Sequence, residues 1–255
     1  MKNVESWSAS KFVFRNGRLR PTSDRRELAA SSVLIARLVA DKYETALPTH
    51  TRGMLLDLGS GKVPFYGSYR RYASAVICVD WPGSLHGSLH LDAFCDLSKA
   101  LPFTDESFDT VLSSDVIEHL PDPALAFREI GRILRPGGKL LLNTPFLYML
   151  HEIPNDFCRH TRFSIRRLVQ DGGLEILRLE EVGGVGEVLA DILAKAVSTI
   201  PLIGSPIAVF LQQLVTTLGR TRLWQRGRRT SAPSFPLGYF LVAEKPDASR
   251  RVATS

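Results

Sequence analysis

Apolar residues fall at two different spacings along this chain, and the change of spacing marks the elements. Over residues 27–43 (ELAASSVLIARLVADKY) they recur every three or four positions, which predicts a first helix. Short runs rich in aliphatic and β-branched residues then predict strands at 53–58, 75–80 (AVICVD), 108–113 (FDTVLS) and 139–143 (KLLLN). A weaker strand signal lies near 89–92. Helical patterns at 123–134 and 164–170 separate the later strands, and Arg135-Pro136-Gly137-Gly138 reads as a turn. Two further strand patterns follow at 174–182 and 238–244. Short apolar strands alternating with helices predict an α/β fold, with a mostly parallel sheet covered on both faces.

The same pattern divides the chain. Residues 1–27 are polar and basic and read as an arm with little core of its own. Residues 28–185 and 236–247 form the predicted core, 186–235 an apolar helical insert with a basic end, and 248–255 a flexible tail. Within the insert, residues 196–218 carry no charge and are long enough to cross a bilayer. Pro201, Gly204 and Pro206 interrupt that stretch, so two shorter helices are expected instead of one span.

Composition adds little, but charge does. The net charge of +6 is concentrated in 15–26 (RNGRLRPTSDRR) and 220–229 (RTRLWQRGRR), segments that either solvate a face or meet an anionic partner. Three scattered cysteines fit neither a disulfide framework nor a zinc site, and the N-terminus has no signal-peptide core, so a cytoplasmic protein is expected.

The loop after the first strand, DLGSGKVP (57–64), carries the first chemistry. A phosphate-binding P-loop needs Ser or Thr after Gly-Lys, and Val63 stands there. A dinucleotide fingerprint needs a third glycine, and Pro64 holds that position. What remains is Asp57-x-Gly59-x-Gly61, followed by Asp80 at the end of the second strand, where a carboxylate can accept two ribose hydroxyls. Val63 is expected to take an ordinary φ, and Lys62 to face solvent.

Three later segments extend the pattern: CDLSKALPF (95–103), ESFDTVLSSDVIEHLPDP (106–123) and EIGRILRPGGKLLLNTP (129–145). With the loop, they resemble the class I S-adenosylmethionine-dependent methyltransferases, and the likeness covers about 50–182 and the last strand. It implies a Rossmann-like, seven-stranded sheet and S-adenosylmethionine as cofactor. Asp57, Gly59, Ser60, Gly61, Asp80, Trp81, Asp96, Leu97, Ser113 and Ser114 are the positions it implies for cofactor binding, with Trp81 stacking on adenine and Asp96 meeting the adenine amino group.

Methyl transfer to a hydroxyl also needs a base, and in this fold the acceptor side follows strands four and five. HEIPNDFCRHT (151–161) stands there and resembles a segment of bacterial methyltransferases acting on glycans and secondary metabolites. His151 is the leading base candidate, then Asp156. His119 is the third, with a structural or cofactor-loop role preferred for it. Glu152, Arg159, His160 and Tyr148 are expected to hold the acceptor, and no spacing suggests a metal. The arm is expected to fold over the cofactor and to offer Arg18 or Arg20 to an anion.

The expected reaction is O-methylation of a sugar hydroxyl on a glycan or glycosylated metabolite. The alternative is a small-molecule acceptor (polyketide, quinone or amine), and a nucleic-acid-binding role is the remote one. Residues 186–229 would act as a cap, a homodimer interface or a peripheral contact at the inner face of the membrane.

Overall fold

Along each central strand, alternate side chains enter two separate cores. Leu56, Leu58, Val111, Leu140, Leu142, Leu241 and Ala243 belong to one, and Leu55, Leu112, Leu141, Phe240 and Val242 to the other. The sheet that carries them was obtained as a computed structural model that describes residues 1–247; the tail expected at 248–255 lies outside the described residues. The strands are β3 (Met54–Leu58), β4 (Ala75–Asp80), β5 (Ala93–Phe94), β6 (Phe108–Ser114), β7 (Leu134–Pro145), β8 (Glu175–Val182) and β9 (Gly238–Glu244). Their order is β5-β4-β3-β6-β7-β9-β8, and β9 alone runs antiparallel to its neighbours. This is the seven-stranded, mostly parallel, Rossmann-like sheet that the strand pattern and the resemblance together implied.

Helices α1 (Val33–His50) and α2 (Tyr66–Tyr69) cover the second core, while α3 (Pro123–Ile133) and α4 (Arg162–Asp171) cover the first. α3 shows why these segments are helical. Asp122 caps its N-terminus by accepting the Ala124 N–H, Pro123 occupies the first turn, and Ala126, Phe127, Ile130 and Ile133 bury one stripe.

Several expectations need correction. The first helix begins at Val33, because Asp24 accepts the Arg26 N–H and turns the chain before it. It then runs on to His50, burying Ala46 and Leu47. The third strand of the sheet is Ala93–Phe94, not 89–92. Arg135–Gly138 lies within β7 instead of forming a turn before it. The arm also has a core. β1 (Phe12–Arg15) and β2 (Arg18–Pro21) form a hairpin around Asn16 and Gly17, both at positive φ, as a two-residue type I′ turn requires. Phe12 and Leu19 are buried, and the Phe12 ring stacks on Phe65.

The insert folds as α5 (Val185–Ser198), α6 (Gly204–Leu218) and α7 (Arg222–Ser231). Pro206 sits in the first turn of α6, where its missing N–H has no intrahelical partner to lose. No helix among the described residues is long and apolar enough to cross a membrane.

Candidate functional site

The order in which successive strands are added to the sheet reverses between β3 and β6, and a crevice opens at the carboxyl ends of the strands at such a point. Here it holds a cavity of about 780 Å³. The loop after β3 forms its floor. Gly59 and Ser60 both donate backbone N–H groups to the Val79 carbonyl, and Gly61 donates its N–H to Asp80 Oδ2 at 3.1 Å. Gly59 has φ 77°, and a Cβ there would lie 2.4 Å from the Val116 side chain, so the position admits only glycine.

Val63 departs from the expectation. Its φ is 51°, a left-handed value that a β-branched residue rarely adopts. Its N–H donates to the Ser60 carbonyl at 2.7 Å, its own carbonyl accepts the Trp7 indole N–H, and its side chain is fully buried. Burial and these bonds hold the strained backbone in place. Lys62 is exposed, as expected, at the edge of the cavity, where it pairs with Glu27 at 3.1 Å.

Gly59, Ser60, Gly61, Asp80, Trp81, Asp96, Leu97 and Ser114 all stand on the cavity wall. Asp80 is nearly buried. Its two oxygens each accept one backbone N–H, from Gly61 and Trp81, which leaves lone pairs on both for further donors. A glycine cradle beside such a carboxylate fits the nucleoside part of S-adenosylmethionine. The Trp81 ring lies over Gly83, where a Cβ would come within 2.5 Å of it.

Asp57 and Ser113 are not part of the wall. Ser113 is buried within β6, and Asp57 points to α2, accepting the Tyr69 hydroxyl at 2.6 Å. Burial pushes the Asp57 carboxyl up to about 7, against the Tyr69 hydrogen bond and with the help of the Asp80 charge.

The other half of the cavity is lined by Asp115, His119, Asn143, Tyr148, His151 and Glu152. Behind it, Glu118 is wholly buried; Oε2 accepts the Thr144 hydroxyl at 3.1 Å, and Oε1 accepts no hydrogen bond. That oxygen lies 3.6 Å from His151 Nε2 and 3.8 Å from His119 Nε2. A carbonyl can only accept, so His119 donates Nδ1–H to Asn155 at 2.7 Å, and its Nε2 has no hydrogen-bond partner. His151 sits between two carboxylates, with Nδ1 3.3 Å from Asp156. Burial opposes its charge, but Glu118, Asp156 and Asp115 outweigh burial and raise its pKa. The rings of the two histidines meet edge to face at 4.8 Å. The Glu118, His119 and His151 donor atoms lie within 4.8 Å of one another, close enough to hold a divalent cation.

The remaining residues expected at the site play other parts. Arg159 grips Asp156 with both terminal nitrogens, which holds that carboxyl down at about 2 and makes it a clamp instead of a base. Arg159 and His160 are off the wall, and His160 is buried against Ser164. Arg18 and Arg20 pair with Glu44 and Asp41 on α1; from the arm, Ser10 and Lys11 reach the cavity instead, and Lys11 pairs with Asp115. Three wall residues had been given no role from sequence: Asn143, which accepts the Tyr43 hydroxyl and donates to Asp115; Asn155; and His86, bonded to Glu152 at 3.0 Å.

Comparison with known proteins agrees with this geometry. Residues 56–142 match the family described as a methyltransferase domain. An uncharacterized methyltransferase of Mycobacterium sp. (strain JLS) is 35% identical over 114 residues, covering 42% of this chain and 45% of that protein. The ubiquinone biosynthesis O-methyltransferase of Parvibaculum lavamentivorans is 31% identical over 98 residues, covering 35% and 39%. The chain thus spans less than half the length of these relatives. Among solved structures, the phosphoethanolamine N-methyltransferase 2 of Haemonchus contortus, in complex with S-adenosyl-L-methionine, aligns with a TM-score of 0.53 at 20% identity, over 88% of this chain and 58% of that one. The cyclase SpnF aligns with a TM-score of 0.52 at 20% identity, over 94% and 87%. At such identities the likeness is one of fold, and a shared fold does not fix the reaction.

Proposed function

The chain belongs to the class I S-adenosylmethionine-dependent methyltransferases, and from that premise we propose that it methylates an acceptor hydroxyl on a sugar of a glycan or glycosylated metabolite. The observation that carries the reading is continuity: one cavity joins the Gly59–Gly61 cradle and Asp80 to the histidine cluster. The bound cofactor supplies an electrophilic methyl group. The chain's own residues then hold the nucleoside through Asp80 and the glycine loop, and position the acceptor and its proton.

We assign the proton acceptor to His119. Its Nε2 has no hydrogen-bond partner, its Nδ1 is held by the Asn155 carbonyl, and Glu118 and Glu152 stand within 3.9 Å to stabilise the cation formed on proton uptake. His151, already biased toward its cation by two carboxylates, is better suited to steadying negative charge than to accepting a proton. The polar wall of Asn155, Glu152, His86 and Asp115 suits a polyhydroxylated acceptor. The O-methyltransferase relative supports oxygen as the methylated atom and also favours a second reading, a quinone-like or other small acceptor. Free cysteines at 78, 95 and 158 suit a cytoplasmic enzyme.

The test is methyl transfer from isotopically labelled cofactor to a panel of glycosides and their aglycones, read by mass. Transfer to glycosides supports the reading; transfer to aglycones alone supports the small-acceptor reading. Activity that survives EDTA supports the base, whereas activity lost to EDTA and restored by a divalent metal would move the chemistry to a cation at Glu118, His119 and His151.

A further inference from the structure

The insert leaves an unusual surface. α5 and α6 form an antiparallel hairpin whose inner residues, Ala190 and Val215, pack on Leu34 of α1. Their outer faces are largely apolar, with Ser205, Gln213 and Thr217 the exposed polar residues of α6. Leu189, Ile192 and Leu193 of α5 and Ile207, Phe210, Leu214 and Leu218 of α6 are exposed, as are Ile200 and Ile203 in the connection between the helices. Both helices rest on the same support, residues 30–32 and α1, and their exposed residues lie away from it. At the hairpin tip Leu202 is 97% exposed, on a backbone with φ 66°. A monomeric soluble surface rarely gathers so many large apolar side chains.

Charge identifies what covers it. From Ile192 to Ala243 the chain contains no Asp or Glu. The two acidic residues of α5 are withdrawn from the surface: Glu187 is buried against Arg228 and Trp224, and Asp191 is buried and paired with Lys195. Beside the apolar face, α7 and the turn before it display Arg220, Arg222, Arg226 and Arg229, all exposed. An isologous dimer through this face would bring two such arginine sets together with no carboxylate from this segment to neutralise them. A lipid surface accepts both features, with acyl chains for the exposed apolar residues and anionic headgroups for the arginines.

We propose that the α5–α6 hairpin and α7 form a peripheral membrane-docking face that lies in the interface of an anionic bilayer. This holds whatever acceptor the cavity takes, and the site stays in physical reach of the membrane. Lys195 of α5 lies 4.1 Å over the ring of Tyr148, which lines the cavity.

The test is sedimentation of the full chain with phosphatidylcholine vesicles containing about one-third phosphatidylglycerol, against pure phosphatidylcholine. The protein is expected to pellet with the anionic vesicles and to be released by salt. Leu202→Asp with Ile203→Asp, both at exposed positions and so leaving circular dichroism unchanged, should weaken binding at least about tenfold. Arg222→Glu with Arg226→Glu and Arg229→Glu should weaken it about a hundredfold and remove the salt dependence. Failure of the wild-type protein to bind anionic vesicles overturns the proposal. So does binding that neither variant changes, or a dimer in ultracentrifugation that Leu202→Asp dissociates.

Discussion

Val63 offers a sharp test of how the cofactor loop is held. Its side chain is fully buried while its backbone sits at φ 51°. Val63→Ala removes two buried methyl groups, at about 0.8 kcal/mol each in transfer plus a cavity contribution, for a loss of about 2 kcal/mol. Alanine keeps the left-handed strain. Val63→Gly loses about one further carbon's worth, ~0.8 kcal/mol, and gains ~0.7 kcal/mol of unfolded-chain entropy, both against the fold. It also releases the left-handed penalty of about 1–2 kcal/mol that any Cβ incurs. These opposing effects cancel, so the two variants should be equally stable to within about 0.5 kcal/mol. At an ordinary φ the glycine would be lower by roughly 1.5 kcal/mol. Urea denaturation of both variants measures the gap. A glycine variant lower than the alanine one by that full amount would refute a strained Val63.

Asp57 should make stability depend on pH. Its folded pKa of about 7 lies above the ordinary aspartate value of 3.8, so the folded state binds the proton more tightly. The stability it contributes is complete below about pH 4 and is lost as pH rises toward 7, by roughly 4 kcal/mol. Asp57→Asn, still able to accept the Tyr69 hydroxyl, should gain on the wild type over that window in urea melts. For catalysis, His119→Ala should lower kcat by about 10²–10⁴ with S-adenosylhomocysteine affinity unchanged, measured by single-turnover kinetics and calorimetry. Glu187→Ala would strand Arg228 and Trp224 at the base of α7, costing about 3 kcal/mol and lowering Tm by roughly 6–12 °C. Trypsin should then cut within α7 well before the core.

What the sequence disclosed and what it hid follow from the range of the interactions involved. β4 and β9 were readable to the residue because each is a run of apolar residues closed by a charge or opened by glycine. The cavity wall expected to hold the cofactor was traceable for the same reason, since the loop and Asp80 sit directly at strand ends. The arm was misread because its burial depends on Phe65 and Val63, more than forty residues away, although Asn16-Gly17 was an available hairpin signal. The acceptor side was hidden in a similar way. The pairing of Asp156 depends on Arg159, and the free Nε2 of His119, on which its proposed role rests, depends on Asn155 reaching Nδ1 from another loop. Val63 shows a further limit: residue type alone predicted an ordinary φ, and tertiary burial imposed the other.

The most direct test of the central claim is calorimetric titration of S-adenosylhomocysteine into the wild-type protein and into Asp80→Ala. One molecule should bind per wild-type chain. Loss of a charged acceptor for two hydroxyls, at about 1.5–3 kcal/mol each, should weaken the variant at least about a hundredfold while its urea midpoint stays near that of the wild type. A wild-type chain that binds no cofactor, or an Asp80→Ala variant that binds it equally well, would contradict the account.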